Sequence, residues 1–155
     1  MTTSSAVVRR GRKPLLVLHI AASVGLLGAV ASGILIAIAA ATDRVDGDSA
    51  YELLSLQSAV FGIPLSFASL LSGIALGTLT KWGTLRYRWT TGKLALQLLV
   101  MLNGALLLGP TVSARLDGDG SPWFLVFAES ASVAMLLLAV ALSVFKPWGR
   151  LRRPS

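Results

Sequence analysis

Four apolar runs, at residues 15–41, 53–80, 94–112 and 123–145, contain no lysine, arginine or aspartate. Each is close to or longer than the roughly 20 residues that carry an α-helix through a ~30 Å hydrocarbon layer. In that layer every backbone N–H and C=O must bond within the protein, which a helix achieves alone and an isolated strand does not. The roughly ten-residue alternation of a membrane barrel is missing from the sequence. The chain is therefore expected to be all-α, a four-helix transmembrane bundle with a basic stretch at 1–14 before it and a basic tail at 146–155 after it. Its 155 residues are 54% apolar and 14% charged, which leaves a water-soluble globule short of polar surface.

The formal charge of +7 is distributed in a way that explains itself. Twelve of the fourteen basic residues lie before the first run, between the second and third, or after the fourth, among them Arg9, Arg12, Lys81, Arg86, Lys93, Lys146 and Arg152. The other two connections carry Asp43, Asp46, Asp48, Glu52, Asp117 and Asp119, opposed by Arg44 and Arg115 alone. This is the positive-inside pattern, so both termini are expected to be cytoplasmic and the protein multi-pass in the cytoplasmic (inner) membrane. The expected partner of the basic ends is a bilayer with anionic headgroups, which attract each nearby Lys or Arg by about 1 kcal/mol. Nucleic acid is not implied. Trp82, Tyr87 and Trp89, interleaved with cations, read as an interfacial belt. The chain has no cysteine, so a disulfide framework and thiolate chemistry are excluded. The first run is longer than the usual signal core of about 7 to 15 residues, and is expected to be retained as a span.

Two patterns bear on packing. "IALGTLTKWGTLR" from Ile74 and "VALSVFKPWGRLR" from Val140 align without a gap, pointing to two hairpins of like orientation related by an axis along the membrane normal, or to convergence on one anchor chemistry. The first span also carries Ala21, Gly25, Ala29, Gly33, Ala37 and Ala41 at four-residue intervals, and the second repeats the device with Ser58, Gly62 and Ser66, then Ser69, Gly73 and Gly77. Missing bulk along one slowly rotating stripe lets another backbone approach closely. The partner helix lies in the same chain, in a second copy as a homo-oligomer, or in another membrane protein. Pro64 is expected to bend the second span, and Pro110 lies near the end of the third.

Few residues offer chemistry. His19, the only histidine, stands about 7.5 Å into the first span on the side where Lys93 and Gln97 open the third. With Ser23 they form a possible inner polar layer. One reading makes His19 a boundary residue and Lys93 a snorkelling cation. Another is haem ligation or proton transfer, for which imidazole is suited. A second axial ligand would have to come from Met101 or Met135. "LHI" early in the first span, followed by "WTTGKLALQLLV", resembles the four-helix bacterial membrane group containing haem-dependent protoporphyrinogen oxidases and copper-resistance D-like proteins. "LLSGIALGTLTKWGTLRYRWTTGKL" is similar to uncharacterised actinobacterial four-span membrane proteins. The first resemblance implies haem b as cofactor, with His19 and Lys93 as the residues that bind it. The Leu-Pro-Arg stretch and further histidines of those oxidases have no counterpart here.

Glu129 is the only acid inside one of the four runs, at about the depth of Gln57. It is expected to hydrogen-bond Gln57, Ser58 or another helix, or else to serve as an ion or proton site. Asn103, near the middle of the third run, reads as a residue that joins helices. Phosphate-loop, zinc and serine-nucleophile signatures are absent from the sequence, so catalysis is not the expected activity. The readings that follow are, in order, a helix-packing or assembly protein, a haem-b redox protein centred on His19, and a proton or cation pathway through Glu129.

Overall fold

In the computed structural model the backbone is described for residues 3–79, 87–116 and 121–146, and side chains for 12–79, 87–114 and 121–146. These residues form α1 (Thr3–Ala41), α2 (Gly47–Gln57), α3 (Ile63–Leu79), α4 (Arg88–Asn103), α5 (Gly109–Leu116) and α6 (Pro122–Phe145). Helices α2 and α3 are continuous through a π-helical turn at Ser58–Gly62, as are α4 and α5 through Gly104–Leu108. The result is four helices long and apolar enough to cross a membrane: Arg12–Ala41, Gly47–Leu79, Arg88–Ala114 and Pro122–Phe145. Large side chains point outward, with Leu35, Phe127 and Val144 at 70%, 67% and 68% exposure, as suits a protein whose solvent is lipid. The protein is a multi-pass membrane protein.

Local chemistry explains where the helices stop. At the end of α1, Asp43 takes a left-handed backbone (φ 53°), while the Arg44 N–H reaches back to the Ala39 carbonyl at 2.9 Å and the Asp43 N–H to Ala40 at 3.2 Å. This closure supplies partners for carbonyls that the helix leaves over. Asp46 then caps α2, its Oδ2 accepting from the Ser49 N–H at 3.0 Å and the Ser49 hydroxyl at 2.8 Å. The second span consequently begins at Gly47, ahead of the apolar run at 53.

Each π turn ends two residues before a proline. The ring of Pro64 would collide with the carbonyl of Val60 in an α-helix, and that of Pro110 with Leu106. Widening the turn removes the conflict, and bonds five residues apart replace those four apart: Ile63 N–H to Ser58 O, and Gly109 N–H to Gly104 O. The bend expected at Pro64 is thus a register change within the span, and Pro110 stands at a second one inside the third span.

The spans pack in the cyclic order two, one, four, three. Contacts are close between α1 and α3, α1 and α6, and α4 and α6, and sparse between α3 and α4. Two hairpins related by a two-fold axis would make the one–four and three–two seams alike; here the second is the looser. The Trp-Gly segments of the sequence echo lie outside the described residues, as does Trp82. Trp89 is buried against the bundle, with Tyr87 beside it at 6.4 Å between ring centres, so its ring is not a free interfacial anchor.

The small residues serve contacts within the chain. A Cβ on Gly25 would stand 3.2 Å from Leu65 of α3, one on Gly73 3.1 Å from the His19 ring, and one on Gly92 3.3 Å from Leu142 of α6. Four-residue steps advance about 40° around a helix per step, so the stripe turns from the second span at Gly25 to the fourth at Gly33. Leu26, Val100 and Leu136 fill the centre of the bundle, and Tyr51, Leu54, Ala37 and Leu125 pack together towards the acidic end.

Candidate functional site

Glu129 lies two turns into α6, where Gly33 of α1 leaves it room. An ideal Cβ at residue 33 would be 2.8 Å from Oε1 and 3.1 Å from the carboxyl carbon. The other carboxyl oxygen, Oε2, is buried and has no hydrogen-bond partner among the described residues. Gln57 is committed elsewhere: its amide donates to the Ala29 carbonyl and, at 2.9 Å, to the Ser32 hydroxyl. The expected bond from Glu129 to Gln57 or Ser58 is not formed.

Beside this carboxyl group is a cavity of about 420 Å³. Its wall combines Leu26, Val30 and Val100 with Ser66 and Ser132, and both π turns contribute to it through Ser58, Gly62, Gly104 and Leu108. Widened turns displace side chains from the regular helical rows, and they recur at functional sites. Glu129 is the single charged side chain in the wall.

A line of polar groups runs from this cavity towards the basic end. Asn103 Nδ2 donates to the Ala128 carbonyl at 2.8 Å and the Ser132 hydroxyl at 2.6 Å, joining α4 to α6. Gln97 Nε2 donates to Ser66 O of α3 at 3.4 Å, and the hydroxyls of Ser23 and Ser69 are 2.9 Å apart. Beyond them His19 Nδ1 lies 3.1 Å from Ser69 O and 3.0 Å from Ser72 Oγ. A carbonyl can only accept, and Ser72 already directs its hydroxyl to Ala68 O at 2.5 Å. The proton of a neutral His19 ring therefore belongs on Nδ1, leaving Nε2 as the lone-pair nitrogen.

The anticipated inner layer is thus only partly an arrangement of first and third spans. His19 and Ser23 turn to α3, and Gln97 does the same from α4. Lys93 is half-buried on α4, near enough for its charge to act at His19. Met101 lines the Glu129 cavity, and Met135 packs on the central cluster of Leu26, about 10 Å along α1 from His19. Among the described residues no three His, Cys, Asp or Glu side chains gather as a metal site.

Ser66, Ser69 and Ser72 read in the sequence as no more than small residues; in the fold Ser69 and Ser72 give hydroxyls to the polar line, and Ser66 gives its backbone carbonyl. Their spacing of three residues on one helical face was the available signal. Gly33 was recognised as small, without any indication that it faces Glu129. No protein-family model, curated protein or solved structure matches the chain.

Proposed function

We propose that this membrane protein is a proton or cation carrier or pathway, with Glu129 as the group that binds what passes and with both termini cytoplasmic. The supporting observation is the buried, unpartnered Oε2 beside a cavity whose wall holds no basic side chain. An ionised carboxylate in a low-dielectric interior is costly by several kcal/mol until a proton or cation neutralises it. The polar line from Asn103 to His19 supplies donors and acceptors along the remaining depth. Charge segregation in the sequence supports the orientation, which puts the Glu129 end outside. The close packing anticipated from the small residues is read here as the scaffold of this site, because Gly25, Gly33 and Gly73 meet partners in the same chain.

Reconstituted liposomes test the reading. Wild-type protein is expected to dissipate an imposed proton or potassium gradient, and Glu129→Gln, which keeps the shape and removes the charge, is expected to leave the gradient at the level of empty vesicles. Equal leakage through both proteins contradicts it.

A second reading rests on His19. Metal-ligating imidazoles characteristically give their other ring N–H to a carbonyl, as Nδ1 does to Ser69, and this leaves Nε2 with a lone pair. Haem b bound there, with Lys93 near a porphyrin acid group, would give a Soret band in mild detergent. A colourless preparation after haem-supplemented expression, or full haem content in His19→Ala, removes this alternative.

A further inference from the structure

The cavity at Glu129 has a shape and lining that bear on which cation it takes. An inorganic cation needs a shell of oxygen ligands, six or more for the common divalent ions. The wall offers one carboxylate and a few separated hydroxyls, and no acid or histidine cluster stands among the described residues. Gln57, the other large polar side chain there, has its Nε2 held by Ala29 and Ser32, and its Oε1 would add at most one more oxygen, still short of such a shell. The rest of the lining is aliphatic, with Phe67 and Met101. Such a wall suits a body with little hydration to lose and one diffuse positive charge to match.

The route in is equally specific. Ile63, Phe67, Ala105 and Gly109 belong to the cavity wall and are also exposed on the outside of the bundle. They stand on the second and third spans, whose seam is the loosest of the four. The cavity therefore opens sideways, to the acyl-chain region, where a lipophilic cation concentrates and a hydrated one does not. Its size of about 420 Å³ falls within the range of pockets that hold small organic molecules.

Resting on the reading of Glu129 as a cation site, we infer that the ligand is a lipophilic organic cation that enters between the second and third spans and pairs with the Glu129 carboxylate. The apolar wall supplies the bulk of the contact, and the carboxylate selects the sign of charge. The other acids among the described residues, Asp43, Asp46, Asp48 and Glu52, are all exposed and lie outside the cavity wall.

The test uses the full chain in lipid nanodiscs with two probes of nearly identical shape and opposite charge, tetraphenylphosphonium and tetraphenylborate. Wild-type protein is expected to bind the phosphonium above the nanodisc background and to give no protein-dependent borate binding. Glu129→Gln is expected to weaken phosphonium binding roughly tenfold or more. Gly33→Ala, which retains the charge and shifts the carboxylate, is expected to weaken it less. Ala105→Trp, at the exposed rim, is expected to slow phosphonium entry while leaving the helical content unchanged. Equal binding of both probes, or phosphonium binding indifferent to Glu129, overturns the inference. If Glu129→Gln does not fold, the contrast between the two probes on the wild type still decides. Absence of phosphonium binding with persistent Glu129-dependent proton or potassium flux overturns the ligand class alone; absence of both overturns the site as well.

Discussion

Glu129 rests its carboxyl group directly on Gly33 of α1, with Oε1 2.8 Å from the point that a Cβ would occupy. The contact joins the first and fourth spans, and a side chain at this place in the small-residue stripe would have to push the carboxyl group aside. The obstructing atom is the end of a flexible side chain, so Gly33→Ala is expected to displace the carboxyl group and leave the helices in place. Gradient dissipation should fall several-fold, with less than about 1 kcal/mol lost in stability. Gly28→Ala is the matching control: nothing lies within 4 Å of its Cβ, so flux should be retained and helix stability should rise by about 0.5–1 kcal/mol. Equal effects from the two substitutions would contradict this assignment.

Asn103 spans α4 and α6 through Ala128 and Ser132. Interhelical hydrogen bonds in membranes are worth about 0.6–2 kcal/mol, because the separated helices also find partners. Asn103→Leu is expected to destabilise the bundle by about 1 kcal/mol in a reversible unfolding assay. A gain in stability would show that the buried amide serves something other than helix association.

Pro64 creates its π turn by excluding the Val60 carbonyl from a normal helical bond. Pro64→Ala restores an N–H that can donate to that carbonyl, so the turn should tighten, and the segment before it should rotate by about 100° for the one-residue change in register. Gln57 and Ser58 would leave their places at the cavity. The expected outcome is several-fold lower flux together with lower stability, because Tyr51 and Leu54 would rotate out of their packing, read by the liposome assay and by thermal unfolding. Unchanged flux would mean that the π turn is incidental to the site.

Asp46 gives a pH dependence outside the membrane. The Ser49 backbone N–H, and after it the Ser49 hydroxyl, hold its carboxyl below the usual carboxylate range. A folded-state value lower than the unfolded one contributes stability that is present above the unfolded pKa and is lost as pH falls through the folded one. Acidification should therefore fray the first turn of α2. Protection of the Ser49 amide, corrected for intrinsic exchange, should fall in acid, and Asp46→Ala should remove that dependence.

The four spans were legible because lipid requires length and apolarity, and both are properties of composition. Charge segregation similarly carried the expected orientation. The span ends were less legible: α2 starts at Gly47 because Asp46 caps it, although Asp48, Ser49 and Glu52 make the stretch before Leu53 read as a polar connection. Helix rotation was not legible at all. It decides that His19 faces Ser69 and Ser72, that Gly33 faces Glu129, and that Gln57 bonds Ala29, and it is set by packing among all four spans at once. Pro64 announced a distortion and Pro110 did not, and the placing of two π turns on one cavity depends on which side of each span faces inward.

The most direct measurement is labelling by dicyclohexylcarbodiimide, a neutral apolar reagent that reaches carboxyl groups from within the bilayer. It adds to a protonated carboxyl group as an N-acylurea, so the protein gains the mass of the whole reagent. Peptide mapping is expected to place the adduct on Glu129, tetraphenylphosphonium is expected to protect it, and Glu129→Gln is expected to remain unlabelled. Glu129 left unmodified in the wild type, or modified at the same rate with and without the phosphonium, would contradict an open, cation-binding carboxyl group in the bundle.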